Sequence, residues 1–203
     1  MKIKTYKTII LLIVAIFFLI TFVVYHTRSV KYDKMGEAVD ITPSSGFNLN
    51  GLDGDMRVKI QAGEYYGHIS FRENNTVIRY FVIGYPDNEG GEIEYAIVIK
   101  DHPLFSVFSK LITPTPGEYV EGYVLPLPQE LKPYIAAQLK NEGFKEKKAN
   151  SMIVPYYMVY VNTAFYNTVK TISAVGLIAC VAFWLVFVLL TPKKEENAEI
   201  EIE

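Results

Sequence analysis

Two uncharged apolar runs at opposite ends of the chain constrain it more than any other feature. Ile9 to Val24 reads IILLIVAIFFLITFVV and, with Thr8 and Tyr25, makes 18 residues without a charge. That is the lower end of what crosses ~30 Å of hydrocarbon as a helix. Thr171 to Leu190, TISAVGLIACVAFWLVFVLL, is a second uncharged run of 20. The pattern predicts transmembrane helices over 8–25 and 169–191. A buried core helix is the plainer alternative, but such helices usually carry a polar stripe, and neither run has one.

Lys2, Lys4 and Lys7 ahead of the first run also fit an export signal. The 16-residue apolar core is long for one, and no good small-x-small cleavage site follows it. Tyr25 sits where an interfacial aromatic belongs. An uncleaved anchor is the better reading.

Two spans put 1–7 and 192–203 on one side and the loop between the spans on the other. Near the spans the terminal side carries Lys2, Lys4, Lys7, Lys193 and Lys194, against Arg28, Lys31, Lys34 and Lys170 on the loop side. The positive-inside rule then favours cytoplasmic termini and an extracytoplasmic loop in the cell membrane. Cys180, the single cysteine, lies inside the second run, so the loop has no disulfide. With 16 Lys against 4 Arg, this suits a bacterium with an AT-rich genome, and the sequon at Asn74 loses its meaning there.

Residues 26–170 carry 15 basic and 17 acidic side chains, no surplus for nucleic acid. Residues 26–54 are polar and turn-rich, a linker or irregular lead-in, and 55–168 read as a β-rich domain. RVKIQ at 57–61 alternates, as do YYGHISFR at 65–72 and EIEYAIVIK at 92–100, while TVIRYFVIG at 76–84 is apolar on both faces. Short turn signals at Ala62-Gly63, 73–75 and 86–91 separate them, which predicts an antiparallel meander. Asp101 is an N-cap candidate for a helix with Pro103 in its first turn and Leu104, Phe105, Phe108, Leu111 and Ile112 on one face. EYVEGYVLPL reads as a fifth strand. Leu131, Ile135 and Leu139 then mark a second helix ending at Gly143, and a last strand follows at 153–161. The fold class is α+β: two membrane helices flank an extracytoplasmic sheet with two accessory helices. Closure into a small OB-like barrel would remove the edges of such short strands.

RYFVIGYPDNEGGEIEYAIVIKDH and VEGYVLPLPQELKPYIAAQL resemble a group of functionally uncharacterised two-span membrane proteins of low-GC Gram-positive bacteria. The resemblance implies no catalytic residue.

Phe165 and Tyr166, like Tyr25, fall where rings sit at the headgroup level, and are expected as interfacial anchors. Tyr156, Tyr157 and Tyr160 divide between core packing and contact with a membrane or partner. In the second run Ser173, Gly176 and Cys180, with Ala179 beside them, form a small-residue stripe expected to pack against another helix, the first span near Ala15, a second copy or a foreign membrane subunit. His26, His68 and His102 have no metal-ligand spacing, NLNGLDGD lacks the oxygens of a calcium loop, and Glu92–Glu94 and Glu118–Glu121 read as solvated pairs. No catalytic motif occurs, and no cofactor is implied. The partners expected are the lipid bilayer and a membrane protein or second copy. The favoured function is binding or assembly, the alternative a membrane-tethered enzyme acting on envelope material.

Overall fold

Alternating strands bury one set of side chains per face, and the computed structural model forms seven of them among the described residues, with five α-helices, in an α+β fold. It describes residues 2–73, 75–86, 93–101, 106–112 and 118–189. The turn at 87–91, Glu92, the helix start at 102–105 with His102, and the tail from 190 lie outside these. The chain divides into two units, residues 1–30 with 163–203, and Lys31–Asn162.

The first unit is the helix pair. Helix α1 runs Lys2–Asp33 and α5 runs Thr163–Leu189, both longer than the expected spans because the polar residues flanking each apolar run continue the helix. The domain therefore ends at Asn162 rather than at 168, and residues 163–168 are helical.

In the second unit the strands are β1 (Val39–Asp40), β2 (Arg57–Gln61), β3 (Glu64–Glu73), β4 (Thr76–Pro86), β5 (Ile93–Lys100), β6 (Tyr119–Pro126) and β7 (Ile153–Tyr160). Their order is β1-β2-β6-β7-β5-β4-β3. The expected meander holds for β3-β4-β5, which pair antiparallel, but the sheet is mixed: β5 and β7 are parallel, and β2 pairs with β6 instead of β3.

That order has a consequence for shape. Strands β2 and β3 stand five positions apart, which in a flat sheet is about 24 Å. Yet only Ala62 and Gly63 join them, a reach of about 11 Å at most. The sheet must therefore coil until the stretch 57–73 serves both its flanks, β2 beside β6 and β3 beside β4. Gly63 is the corner: a Cβ there would stand 2.5 Å from the Gly84 carbonyl oxygen. The Tyr85 hydroxyl donates to the Gln61 carbonyl at 2.8 Å and fixes the same bend. No ladder joins β1 to β3 among the described residues.

Inside the coil lie Val58, Ile60, Phe81, Ile83, Ile97, Ile99, Val124 and Met158, all essentially inaccessible. The short helix α2 (Phe108–Ile112) adds Leu111 to this core. Ile41 and Leu52 join it too, so the lead-in before β2 supplies core residues as well as connecting elements. The outer face, with Tyr80, Val82, Ala96, Val98 and Tyr157, packs on Leu131 and on α3 (Lys132–Asn141) through Ile135 and Leu139. Helix α4 (Glu146–Met152) contributes Ala149 and Met152 to the same cluster and has no counterpart in the sequence reading. In β3 the strict alternation fails, because a bulge between Tyr65 and His68 around Gly67 at φ 97° turns the following residues over.

Candidate binding surfaces

On the helix pair, the aromatic residues meet one another. The Tyr25 ring packs edge-on against Phe165 at 5.8 Å and Tyr166 at 5.7 Å between centroids, and Tyr166 is buried. Further along, Ser173 and Cys180 are buried, and Gly176 faces the Phe18 ring, which a Cβ would approach to 2.7 Å. Ala179 is exposed and lies off this face. Beyond the small residues an apolar groove of about 230 Å³ opens, lined by Thr8, Leu12, Ala15, Cys180 and Trp184 among others.

The rest of the pair is bare. Ile178 and Phe183 are each 69% exposed and Phe17 63%. Both helices are long and apolar enough to cross a membrane.

In the sheet domain the candidate polar groups are dispersed and individually satisfied. Asp101 is buried: its carboxylate accepts from the Ser106 hydroxyl and the Val107 N–H, each at 2.8 Å, and pairs with Arg79 at 3.2 Å. It thus caps the turn into α2, further along than the expected helix start. Glu118 pairs with Lys110 at 2.5 Å and Glu121 with Arg57 at 3.1 Å, so each member of that carboxylate pair has its own cation. The Arg57 guanidinium also stacks on the Tyr32 ring at 4.3 Å.

The edge at β1 is held by a second network. The Asp40 carboxylate accepts from the Thr42 N–H at 2.9 Å, and the Thr42 hydroxyl accepts from the Gln61 N–H at 3.0 Å. Partial burial opposes ionisation of Asp40, but the hydrogen bonds from Thr42 and Tyr119, with nearby Lys59, outweigh it and lower the pKa.

His68 is exposed with its Nδ1 3.0 Å from the Tyr65 hydroxyl, and His26 stacks on Phe22 in the helix pair. Among the described residues no three His, Cys, Asp or Glu gather as metal ligands. In NLNGLDGD the Asn48 side chain accepts from the Asn50 N–H, holding a 3₁₀ turn. Tyr157 and Tyr160 are buried in the two cores and Tyr156 is packed against one of them, which assigns all three to packing.

What remains open to a partner is surface. The outer face of β4 and β5 is covered by the chain's own α3 and α4. Tyr134 on α3 is 54% exposed and rests edge-on against Phe71, and Val77 on β4 is 56% exposed. Sequence reasoning passed over both: neither lies in a motif, and each matters only because the fold leaves it uncovered. Compared with protein-family models, with curated proteins and with solved structures, the chain matches none.

Proposed function

We propose that the chain is a two-span integral membrane protein with cytoplasmic termini, whose domain at 31–162 stands outside the cell and serves binding or assembly with another membrane or envelope component. The observation that carries the membrane reading is the inverted burial of the helix pair. Phe17, Ile178 and Phe183 point outward on helices that carry no charge along their apolar runs. Water would make such a surface an aggregation site, whereas lipid tails cover it without cost.

The coiled sheet reads as a five-stranded barrel of OB type. Supporting this, residues 57–73 act as one strand bent at Gly63, the next two strands continue antiparallel, and β5 meets β7 in parallel. OB barrels bind extended oligomers across the second and third strands. Here α3 and α4 cover the outer face of those strands, β4 and β5, which favours a partner that docks elsewhere on the domain or on the helix pair.

The reading is tested by topology. Protease added outside intact cells or protoplasts should cut within the domain and spare a C-terminal tag, and alkaline washing should leave the chain in the membrane fraction. Loss of the tag with the domain intact overturns the orientation, and release by alkali overturns the spans.

A further inference from the structure

The β3–β4 hairpin runs on past the core, and its register decides which side chains share a face. His68 stands opposite Phe81, Ser70 opposite Arg79 and Arg72 opposite Val77. Directly opposed residues of an antiparallel pair lie on one face, and diagonal neighbours, about 7–8 Å apart, are within reach of long side chains. Arg79 is therefore flanked by His68, Ser70 and Arg72, all of them exposed.

Among the described residues the charge on this face is offset at Arg79, by Asp101, but not at Arg72. Asp101 engages Arg79 through one guanidinium nitrogen and also accepts from the Ser106 hydroxyl and the Val107 N–H. Arg72 has no ion-pair partner among the described residues. When the Tyr65 hydroxyl donates to His68 Nδ1, the neutral ring carries its proton on Nε2, a further donor.

We propose that this face, centred on Arg72 and Arg79, binds a phosphate-type oxyanion. The Arg72 fork, the Arg79 N–H groups that Asp101 leaves free, a hydroxyl and an imidazole N–H together offer more donors than one carboxylate can accept, and they suit the several oxygens of a phosphate. Val77, exposed next to Arg72, gives the group an apolar neighbour. The same chemistry is presented by the headgroup of an anionic lipid and by a soluble phosphate. The inference deepens the binding reading above and names its ligand class. Its failure removes this site and leaves membrane topology to the protease experiment.

The test uses the full chain in a maltoside detergent and follows the phosphorus NMR line of inorganic phosphate. Arg72→Gln should weaken binding about tenfold, which is ~1.4 kcal/mol, and His68→Gln by a smaller factor. Lys100→Gln should leave binding unchanged, because Lys100 lies over the Tyr80 ring on the opposite face of the sheet. Phosphatidylglycerol doped into the micelles should displace phosphate if the site takes headgroups; binding without displacement assigns it to soluble phosphates. No line broadening in the unaltered chain, or equal losses from Arg72→Gln and Lys100→Gln, overturns the site.

Discussion

Ile178 and Ile97 are the same residue in opposite situations, the first 69% exposed on the helix pair and the second wholly buried in the sheet domain. The helix pair turns its apolar side chains outward and meets across small residues. The domain turns its own inward across a coiled sheet and leaves charged side chains such as Arg72 and Lys147 on the surface. Burial cannot stabilise both units through the same solvent: water drives the domain's core together, whereas in the bilayer proposed above the pair would gain only packing contacts.

The largest effect that separates the two should come from truncation. Phe81→Ala removes a fully buried ring that stacks on Phe108 and meets Tyr65, and should cost about 3–5 kcal/mol. Ile178→Ala removes more exposed apolar area and should leave the domain's stability unchanged. Hydrogen exchange of β4 and β5 amides in the full chain reads both. Comparable loss of protection in the two variants would erase the distinction between the units.

A middle-sized effect tests how the helices meet. Gly176→Leu drives a side chain into the Phe18 ring and should weaken association of α1 with α5 by about 1–3 kcal/mol. Leu177→Ala should not. Disulfide crosslinking between engineered cysteines on the two helices measures this, and equal effects from both substitutions would remove the role of that face.

The sequence made these two units legible to different degrees, for physical reasons. Uncharged runs announce themselves by composition alone. Strand periodicity located β2 to β7, because each buries at least one face. Neighbour relations were another matter: Ala62-Gly63 reads as a hairpin turn, and the same two residues instead bend one continuous stretch around a corner. Nothing local distinguishes the cases, since β2 meets β6 only after some sixty intervening residues. Helix α4 escaped because EKKANSM offers only Ala149 and Met152 to the core, too few to set a period. On α5, Ser173, Gly176 and Cys180 share a face, whereas Ala179 does not: at 3.6 residues per turn it lies about 120° round from Ser173. For the phosphate-binding face proposed on the hairpin, alternation put His68, Ser70 and Arg72 on one side of β3, but nothing in the sequence set that side beside Arg79, because the bulge at Gly67 decides which face of the sheet they take.

The smallest effect concerns the corner itself. Tyr85→Phe keeps the buried ring and removes the hydroxyl that donates to Gln61, which should cost ~1 kcal/mol near neutral pH. Burial also holds the Tyr85 hydroxyl well above the ordinary tyrosine value of 10.0, with Tyr95 adding to the shift. A group whose folded pKa is raised contributes stability that is complete below the unfolded value and fades as pH climbs toward the folded one. Stability should therefore fall as pH rises above 10.0, where the unfolded chain ionises Tyr85 and the folded chain does not. Tyr66 and Tyr160, raised first by burial, add to the same fall, so Tyr85→Phe should make it shallower without abolishing it. Denaturant unfolding of the full chain, followed by the strand signal in far-ultraviolet circular dichroism across this alkaline range, reads the slope. An identical slope in Tyr85→Phe would mean that the corner opens before the tyrosine ionises, and that the bend at Gly63 is held by the backbone alone.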